Sequence, residues 1–345
     1  VAYLSITGTQ IDGVGAVVKG LQQRFRRVND LGALRQILGC HWERRSDGTS
    51  IFKQTKTIND IVNRFKLSHL PAVSTPAVVG ERMDATWSPK VGSDEHRKMN
   101  ASPVKKRQRG IKEVIKVEHM SLTTQFRAIV GSLLWIGRCT RPDIMHVVSE
   151  LSRAMQNPGE RHLKRAIRVV QYLKGTKDRG IVWHKRAGKF EANQLYTFSD
   201  ASFADRANAK SSYGYLTCLN GGPVDYASKG QLDVAQSTCE AEYVAMSKAI
   251  VSAIAMSQLL QEMQLPQETV QVFCDNTAAL AISQEDKAHM RTRAIKVRYH
   301  HIRDEIASRQ VSVHYLKTDE MPADLMTKNL APKPFVYLRN KVTGI

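Results

Sequence analysis

Cysteine is scarce and poorly placed for a scaffold: Cys40, Cys139, Cys218, Cys239 and Cys274 are odd in number and form no CxxC pair. That pattern argues against a disulfide framework or a zinc site. It favours a reducing intracellular compartment, cytoplasmic or nuclear. Long apolar runs are also lacking. A bilayer span takes ~20 apolar residues, and Lys248 interrupts the best candidate, so no membrane partner is expected. Val1-Ala2-Tyr3-Leu4 offers neither an initiator Met nor a basic-then-apolar signal pattern, and it reads like the interior of a longer polypeptide. Acidic residues are in deficit. They number 32 against 51 Lys and Arg, a formal +19 with pI near 9.8. Such an excess points to a polyanionic partner, because each neutralised phosphate releases a condensed counterion. The bland alternative is a generically basic soluble protein. The 345 residues suffice for two or three domains, and no internal repeat is visible.

The patterning changes along the chain. An apolar run at 1–6 precedes an amphipathic helix from Gly13 to Phe25, with Val14, Val17, Val18, Leu21 and Phe25 on one face. Asp47-Gly48, flanked by strand-like runs, signals a hairpin. Residues 70–120 lose periodicity, contain Pro71, Pro76, Pro89 and Pro103, and read as a basic, mobile linker. Within it, Lys105-Lys106-Arg107-Gln108-Arg109 fits a nuclear-import signal, a phosphate-binding patch or a solvated run equally well. Three helices are predicted between Ser121 and Thr176, the second opened by Pro142. On the third, Arg161, Lys164, Arg165 and Arg168 form an outward basic stripe, a candidate nucleic-acid contact. Trp42, Trp135 and Trp183 read as core rather than base-stacking residues. From 195 onward the order is three strands (195–199, 213–219, 223–227), a helix (239–263), a strand (270–274), a helix (295–308), a strand (311–316) and a short last helix. That is a mixed sheet flanked by helices.

Four acids sit at telling places on these elements. Asp200 ends the first strand, Glu242 lies in the first turn of the long helix, Asp275 ends the fourth strand, and Asp324 opens the last helix. Ligands of α/β sheets collect at strand carboxyl ends. Carboxylates brought together there repel unless cations neutralise them, and oxygen-rich clusters suit Mg²⁺ or Mn²⁺. Two such ions, ~4 Å apart, support phosphodiester hydrolysis. Asp200 and Asp275 are the expected shared ligands, with Glu242 and Asp324 completing one site each. Taken singly, each acid is equally well a helix cap or a solvated side chain.

The motifs around these acids carry a resemblance. Ser199-Asp200-Ala201-Ser202-Phe203-Ala204, Lys210-Ser211-Ser212-Tyr213-Gly214-Tyr215 and Ala227-Ser228-Lys229-Gly230-Gln231 match the set, as do Ser237 to Tyr243, Cys274-Asp275-Asn276, Arg298 to Arg303 and Ala323-Asp324-Leu325-Met326-Thr327-Lys328. Together they resemble the ribonuclease H domain of Ty1/copia-type retrotransposon Pol polyproteins. The upstream half is similar to the same polyprotein. Asp30-Leu31-Gly32, Ile37-Leu38-Gly39, the Asp-Gly hairpin and Gln54 look like the primer-holding end of a reverse transcriptase palm. Phe126-Arg127, Val130 to Leu134, Thr140 to Ile144 and Tyr172 to Thr176 look like its thumb.

The resemblance implies an α/β chain: a ribonuclease H-like mixed sheet flanked by helices, preceded by a helical thumb-like module and a partial palm remnant. Its divisions are 1–69 palm remnant, 70–120 linker, 121–190 thumb-like module, 191–330 ribonuclease H domain and 331–345 tail. It implies a hydrolase, an endonuclease cutting the RNA strand of RNA–DNA hybrids with two Mg²⁺ ions (Mn²⁺ substituting). Its catalytic and metal set is Asp200, Glu242, Asp275 and Asp324, with Glu240 a near miss. The upstream reverse transcriptase portion is an implied partner. Substrate contacts are expected at Ser202, Asn276, Arg298, Tyr299 and Arg303; Ser211 and Ser212 fit either contact with RNA 2′-hydroxyls or the start of a strand. The other class of function is a catalytically silent nucleic-acid-binding remnant. The polymerase Tyr-x-Asp-Asp is absent, since Tyr3 is followed by Leu4-Ser5-Ile6, so stand-alone DNA synthesis is not expected. Asp225-Tyr226 and Ala294-Ile295-Lys296 depart from the family's Ser-Trp and His-Ile-Asp. A zinc reading of His289, His300, His301 and His314 is disfavoured, because adjacent histidines on a regular helix cannot face one ion.

Overall fold

Two sheets organise the chain in a computed structural model, which describes residues 11–25, 28–30, 32–81, 83, 85–101, 120–184, 192–206, 208–284 and 301–343. The run at 1–6 lies outside them. Helix α1 (Ile11–Arg24) comes first, and Val17 and Phe25 of its apolar face are exposed. The first sheet is antiparallel throughout: β1 (Gln36–Ile37), β2 (Cys40–Arg44), β3 (Ser50–Lys53) and β4 (Gly180–Trp183). The Asp-Gly turn forms as its sequence predicts. Asp47 Oδ1 accepts the Thr49 N–H at 2.8 Å, and Gly48 adopts φ 87°. Strand β4 arrives from far downstream, and Trp183 stacks on Trp42 with ring centroids 5.5 Å apart. Both are half-buried, whereas Trp135, expected in the core, is 42% exposed.

Helix α2 (Thr55–Arg64) buries Ile58, Ile61 and Val62. The stretch read as a mobile linker packs at several points where it is described. Trp87 and Met99, the latter on helix α3 (Asp94–Asn100), are buried, and Ser93 caps that helix. A segment without periodicity of its own still docks when single large side chains find pockets on neighbouring helices. The basic run at 105–109 lies outside the described residues.

Three helices follow: α4 (Leu122–Cys139), α5 (Met145–Arg153) and α6 (Glu160–Gly175), with Pro142 opening a 3₁₀ turn between the first two. A buried ion pair locks them. Arg141 donates to both oxygens of Asp143 at 2.9 and 2.8 Å and to Thr176 O at 2.9 Å, while Tyr172 donates its hydroxyl to Asp143. Burial alone would raise the Asp143 carboxyl. The Arg141 charge and its hydrogen bonds outweigh that and hold it below the usual range.

The second sheet contains β5 (Leu195–Ser202), β6 (Ser212–Leu219), β7 (Gly222–Gly230), β8 (Val270–Cys274) and β9 (Val311–Tyr315) in the order β7-β6-β5-β8-β9. The first three form an antiparallel meander; β8 runs parallel to β5, and β9 parallel to β8. Helix α7 (Thr238–Glu262) covers one face through Met246, Ile250 and Ala253. By length and composition α7 is apolar enough to cross a bilayer, Lys248 notwithstanding; much of that apolarity is spent on the sheet. Helix α8 (Thr277–Gln284), a helix at 301–307 (α9) and a final helix α10 (Pro332–Thr343) complete the chain.

The opposite face of the sheet, Tyr196, Phe198, Leu216 and Cys218, shares one apolar core with α2, α4, α5, α6 and α10. That core is continuous across the 190/191 division read from sequence. The stretch read as a tail buries Phe335, Leu338 and Val342 as α10.

Candidate active site

Strand pairing sets the level of the first two acids. Phe198 pairs with Phe273 in the parallel β5–β8 ladder, so Asp200 and Asp275 both lie two residues beyond it. Strand β5 does not end at Asp200, as expected, but continues to Ser202, because the antiparallel ladder with β6 extends through Ser202 and Ser212. Opposite Asp200 sits Gly214. A Cβ there would stand 2.2 Å from the Met326 Cβ, so only glycine lets the 3₁₀ turn Pro322–Met326 lie directly on β6. That approach carries Asp324, Thr327 and Lys328 over Asp200. Asp324 thus rides on a 3₁₀ turn rather than opening an α-helix. On the other side, Ala241 and Ala245 pack against Ala201 and Tyr213, a small-residue seam that brings the first turns of α7 onto β5.

The four predicted acids form two overlapping groups. Oxygens of Asp200, Asp275 and Asp324 lie within 4.8 Å of one another, and Glu242 shares such a group with Asp275 and the Cys274 sulfur. Asp275 is the member common to both. Asp200, Glu242 and Asp324 are buried; Asp275 is half-buried. Burial is the largest cause raising Asp200 to about 7 and Glu242 to about 9, and neighbouring carboxylates add to both. Asp324 is raised for the same first reason. Lys328 opposes all three shifts. Its Nζ donates to Asp324 Oδ1 at 2.7 Å and to Asp200 Oδ1 at 3.2 Å, while Thr327 Oγ1 donates to Asp200 Oδ2. Thr318 Oγ1 donates to Asp275 Oδ2 at 2.8 Å. Glu242 Oε2 is buried without a hydrogen-bond partner.

This donor set fits a hard divalent cation. Its carboxylate oxygens converge, repel one another and include an orphaned buried acceptor. Glu240 is no rival, since it accepts the Gln236 N–H at 2.8 Å beside the Ser237 cap of α7.

The predicted substrate contacts fare unevenly in position. Ser211 and Ser212 are buried. Ser211 Oγ accepts the Ala204 N–H, and Ser212 Oγ donates to Asp205, so both hydroxyls shape the 203–210 loop. Ser202 is half-buried at the end of β5. Asn276 Oδ1 caps α8 through the Ala279 N–H at 2.9 Å. Arg303 is half-buried and donates to Ile282 O at 3.3 Å. Arg298, Tyr299 and the Ala294-Ile295-Lys296 departure lie outside the described residues. The basic stripe does not face outward as one surface. Arg165 is only 3% exposed, at 2.5 Å from Glu150, and Arg168 donates to Thr75 Oγ1. Arg161 and Lys164 remain exposed, Arg161 lying over the Trp87 ring at 4.3 Å. The reason is that Glu150 of α5 takes Arg165, while Thr75 and Trp87 pack on the same side of α6. The other departure, Asp225-Tyr226, is internal too: Asp225 accepts from Tyr215 and Ser252, and Tyr226 donates to Gly137 O.

Thr327 and Lys328 were not singled out from sequence as site residues. The available signal was a lysine four residues after Asp324 within the quoted motif.

Sheet order and acid placement together define a ribonuclease H-like mixed α/β fold. No protein-family model matches the chain. Among known proteins it is 32% identical over 334 residues to the Retrovirus-related Pol polyprotein from transposon TNT 1-94 of Nicotiana tabacum, covering 96% of this chain and 23% of that one. It is 29% identical over 340 residues to the corresponding RE1 polyprotein of Arabidopsis thaliana, covering 98% and 21%. To the Ty1-NL2 Gag-Pol polyprotein of Saccharomyces cerevisiae it is 27% identical over 230 residues, covering 66% and 13%. The chain is therefore homologous to Ty1/copia-type Pol polyproteins over nearly all its length, and it spans less than a quarter of the plant relatives' length. Similar solved structures include the N-terminal RNase H domain of a Mycobacterium tuberculosis protein (11% identity, TM-score 0.31, 39% of this chain and 91% of that one). LC11-RNase H1 in complex with an RNA/DNA hybrid is another (15%, 0.30, 39% and 94%).

Proposed function

We propose that this chain carries a metal-dependent endoribonuclease that hydrolyses the RNA strand of RNA–DNA hybrids as part of a Pol polyprotein. The observation that carries the reading is the convergence of Asp200, Asp275 and Asp324 oxygens on one point, with Glu242 adjoining through Asp275. Asp275, which belongs to both groups, would be shared by two Mg²⁺ ions, Asp200 and Asp324 would hold one, and Glu242 would hold the other. When bound, the ions supply Lewis acidity and charge neutralisation at the scissile phosphodiester.

The chain's own residues do the rest. Thr327 and Thr318 fix the rotamers of Asp200 and Asp275 by hydrogen bonding one oxygen of each. The Gly214 contact fixes the height of Asp324 above the sheet. Exposed Arg161 and Lys164 lend positive charge for the hybrid backbone. In the same setting, residues 1–69 correspond to the end of a palm with a primer-grip-like hairpin, and 121–190 to a thumb-like module.

The test is cleavage of an end-labelled RNA–DNA hybrid with Mg²⁺, comparing the native chain with an Asp200→Asn, Asp275→Asn double variant. Product from the native chain alone, abolished by EDTA, is expected. Absence of any metal-dependent product, with hybrid binding retained, would leave the silent nucleic-acid-binding remnant as the function.

A further inference from the structure

The ammonium of Lys328 stands where a metal ion's charge is needed. It is 2.7 Å from Asp324 Oδ1 and 3.2 Å from Asp200 Oδ1, and those two carboxylates belong to the Asp200–Asp275–Asp324 group. The other Asp200 oxygen is taken by Thr327. Each Asp200 oxygen keeps a further lone pair, but the ammonium already sits between Asp200 Oδ1 and Asp324 Oδ1, so a cation bridging those two carboxylates competes with Lys328 for the same place. The two donors differ in freedom. Thr327 is buried, and its short β-branched side chain is stiff. Lys328 is 34% exposed and ends a flexible four-carbon stem, so it can withdraw toward solvent. The two halves of the cluster also differ. Glu242 Oε2 has no partner, whereas the Asp200–Asp324 half is closed by Lys328.

We propose that Lys328 is a resident cation: it neutralises the Asp200–Asp324 half while no divalent ion is bound, and it yields that half to the incoming metal. The inference rests on the metal-binding reading above and adds an ordering to it. The Glu242 side fills first and tightly, and the Asp200–Asp324 side fills more weakly because a bound ammonium has to leave. Lys328 acts as a positioning residue through the carboxylates.

The test is Mn²⁺ titration by calorimetry of the native chain, Lys328→Met and Lys328→Arg, paired with thermal melts in EDTA and in saturating Mn²⁺. Lys328→Met should tighten the weaker Mn²⁺ site about tenfold or more, the equivalent of ~1.4 kcal/mol. It should also melt lower than native in EDTA and recover in Mn²⁺. Lys328→Arg, which keeps the charge, should stay near native in affinity. Native and Lys328→Met chains that bind Mn²⁺ equally would overturn the resident-cation role while sparing the metal site. A native chain that binds no Mn²⁺ would sink the metal site itself. Should Lys328→Met fail to fold, the native chain still decides: the ¹⁵Nζ resonance of Lys328 must shift on Mg²⁺ addition, and an unmoved resonance at saturation refutes displacement.

Discussion

Replacing Asp200 by Asn isolates what the acidic cluster does to the metal-free fold. Asp200 is fully buried, and burial first, then Asp324 and Asp275, raises its carboxyl from 3.8 to about 7 against Lys328 and Thr327. Unfolded, the same group ionises near its ordinary value. The folded chain thus holds the proton more tightly. The resulting stabilisation is complete below the unfolded ionisation and is lost as pH rises through about 7. At roughly 1.4 kcal/mol for each pH unit separating the two ionisations, the loss by pH 8 is on the order of 4 kcal/mol. Asn has nearly the same shape and cannot ionise, so the variant lacks this component. Urea unfolding in EDTA, at pH steps from 4 to 8, should give native and variant curves that diverge by a few kcal/mol, with the Asp200→Asn variant the more stable chain at pH 8. Adding Mn²⁺ at pH 8 should restore the native chain and not the variant. Parallel stability curves across that range would refute the reasoning, because they would mean the Asp200 carboxyl feels neither burial nor its neighbours.

Other consequences follow from single contacts. Asp143→Ala leaves the Arg141 guanidinium buried and unpaired; it should lower unfolding free energy by about 3–5 kcal/mol in urea titration, and a loss under ~1 kcal/mol would contradict the lock. Gly214→Ala puts a Cβ against Met326; it should destabilise by about 1–3 kcal/mol and weaken Mn²⁺ binding, since Asp324 moves with the turn. His162 is buried, and burial first, then Arg165, lowers it to about 4. The unfolded chain therefore binds a proton that the folded chain refuses, and the His162 contribution, read as native minus His162→Gln, should fall by on the order of 3 kcal/mol from pH 7 to pH 4. His162→Gln should remove that acid limb.

Much of the second sheet was legible from its short apolar runs, the central strands Leu195–Ser202 and Ser212–Leu219 being buried on both faces; Val270–Cys274 came out to the residue. The acids were legible because strand ends and a first helical turn are visible in sequence. What escaped depended on distant partners. Nothing near 180 announces that Gly180–Trp183 will pair with β3. The period of residues 161–168 shows four basic side chains, but not that Glu150 and the 71–101 stretch would claim Arg165 and Arg168. The helix α2 was hidden because its apolar positions, Ile58, Ile61 and Val62, follow a hairpin and stand among polar residues. Lys328 stood in a quoted motif four residues after Asp324, but its contact with Asp200 arises only when the turn folds onto Gly214.

Crystals soaked in Mn²⁺ and measured at an anomalous wavelength would locate the ions directly. Two peaks are predicted, one among Asp200, Asp275 and Asp324 and one beside Glu242, both within coordination distance of Asp275. A map with no peak at Asp275 in a Mn²⁺-saturated crystal would contradict the shared metal centre.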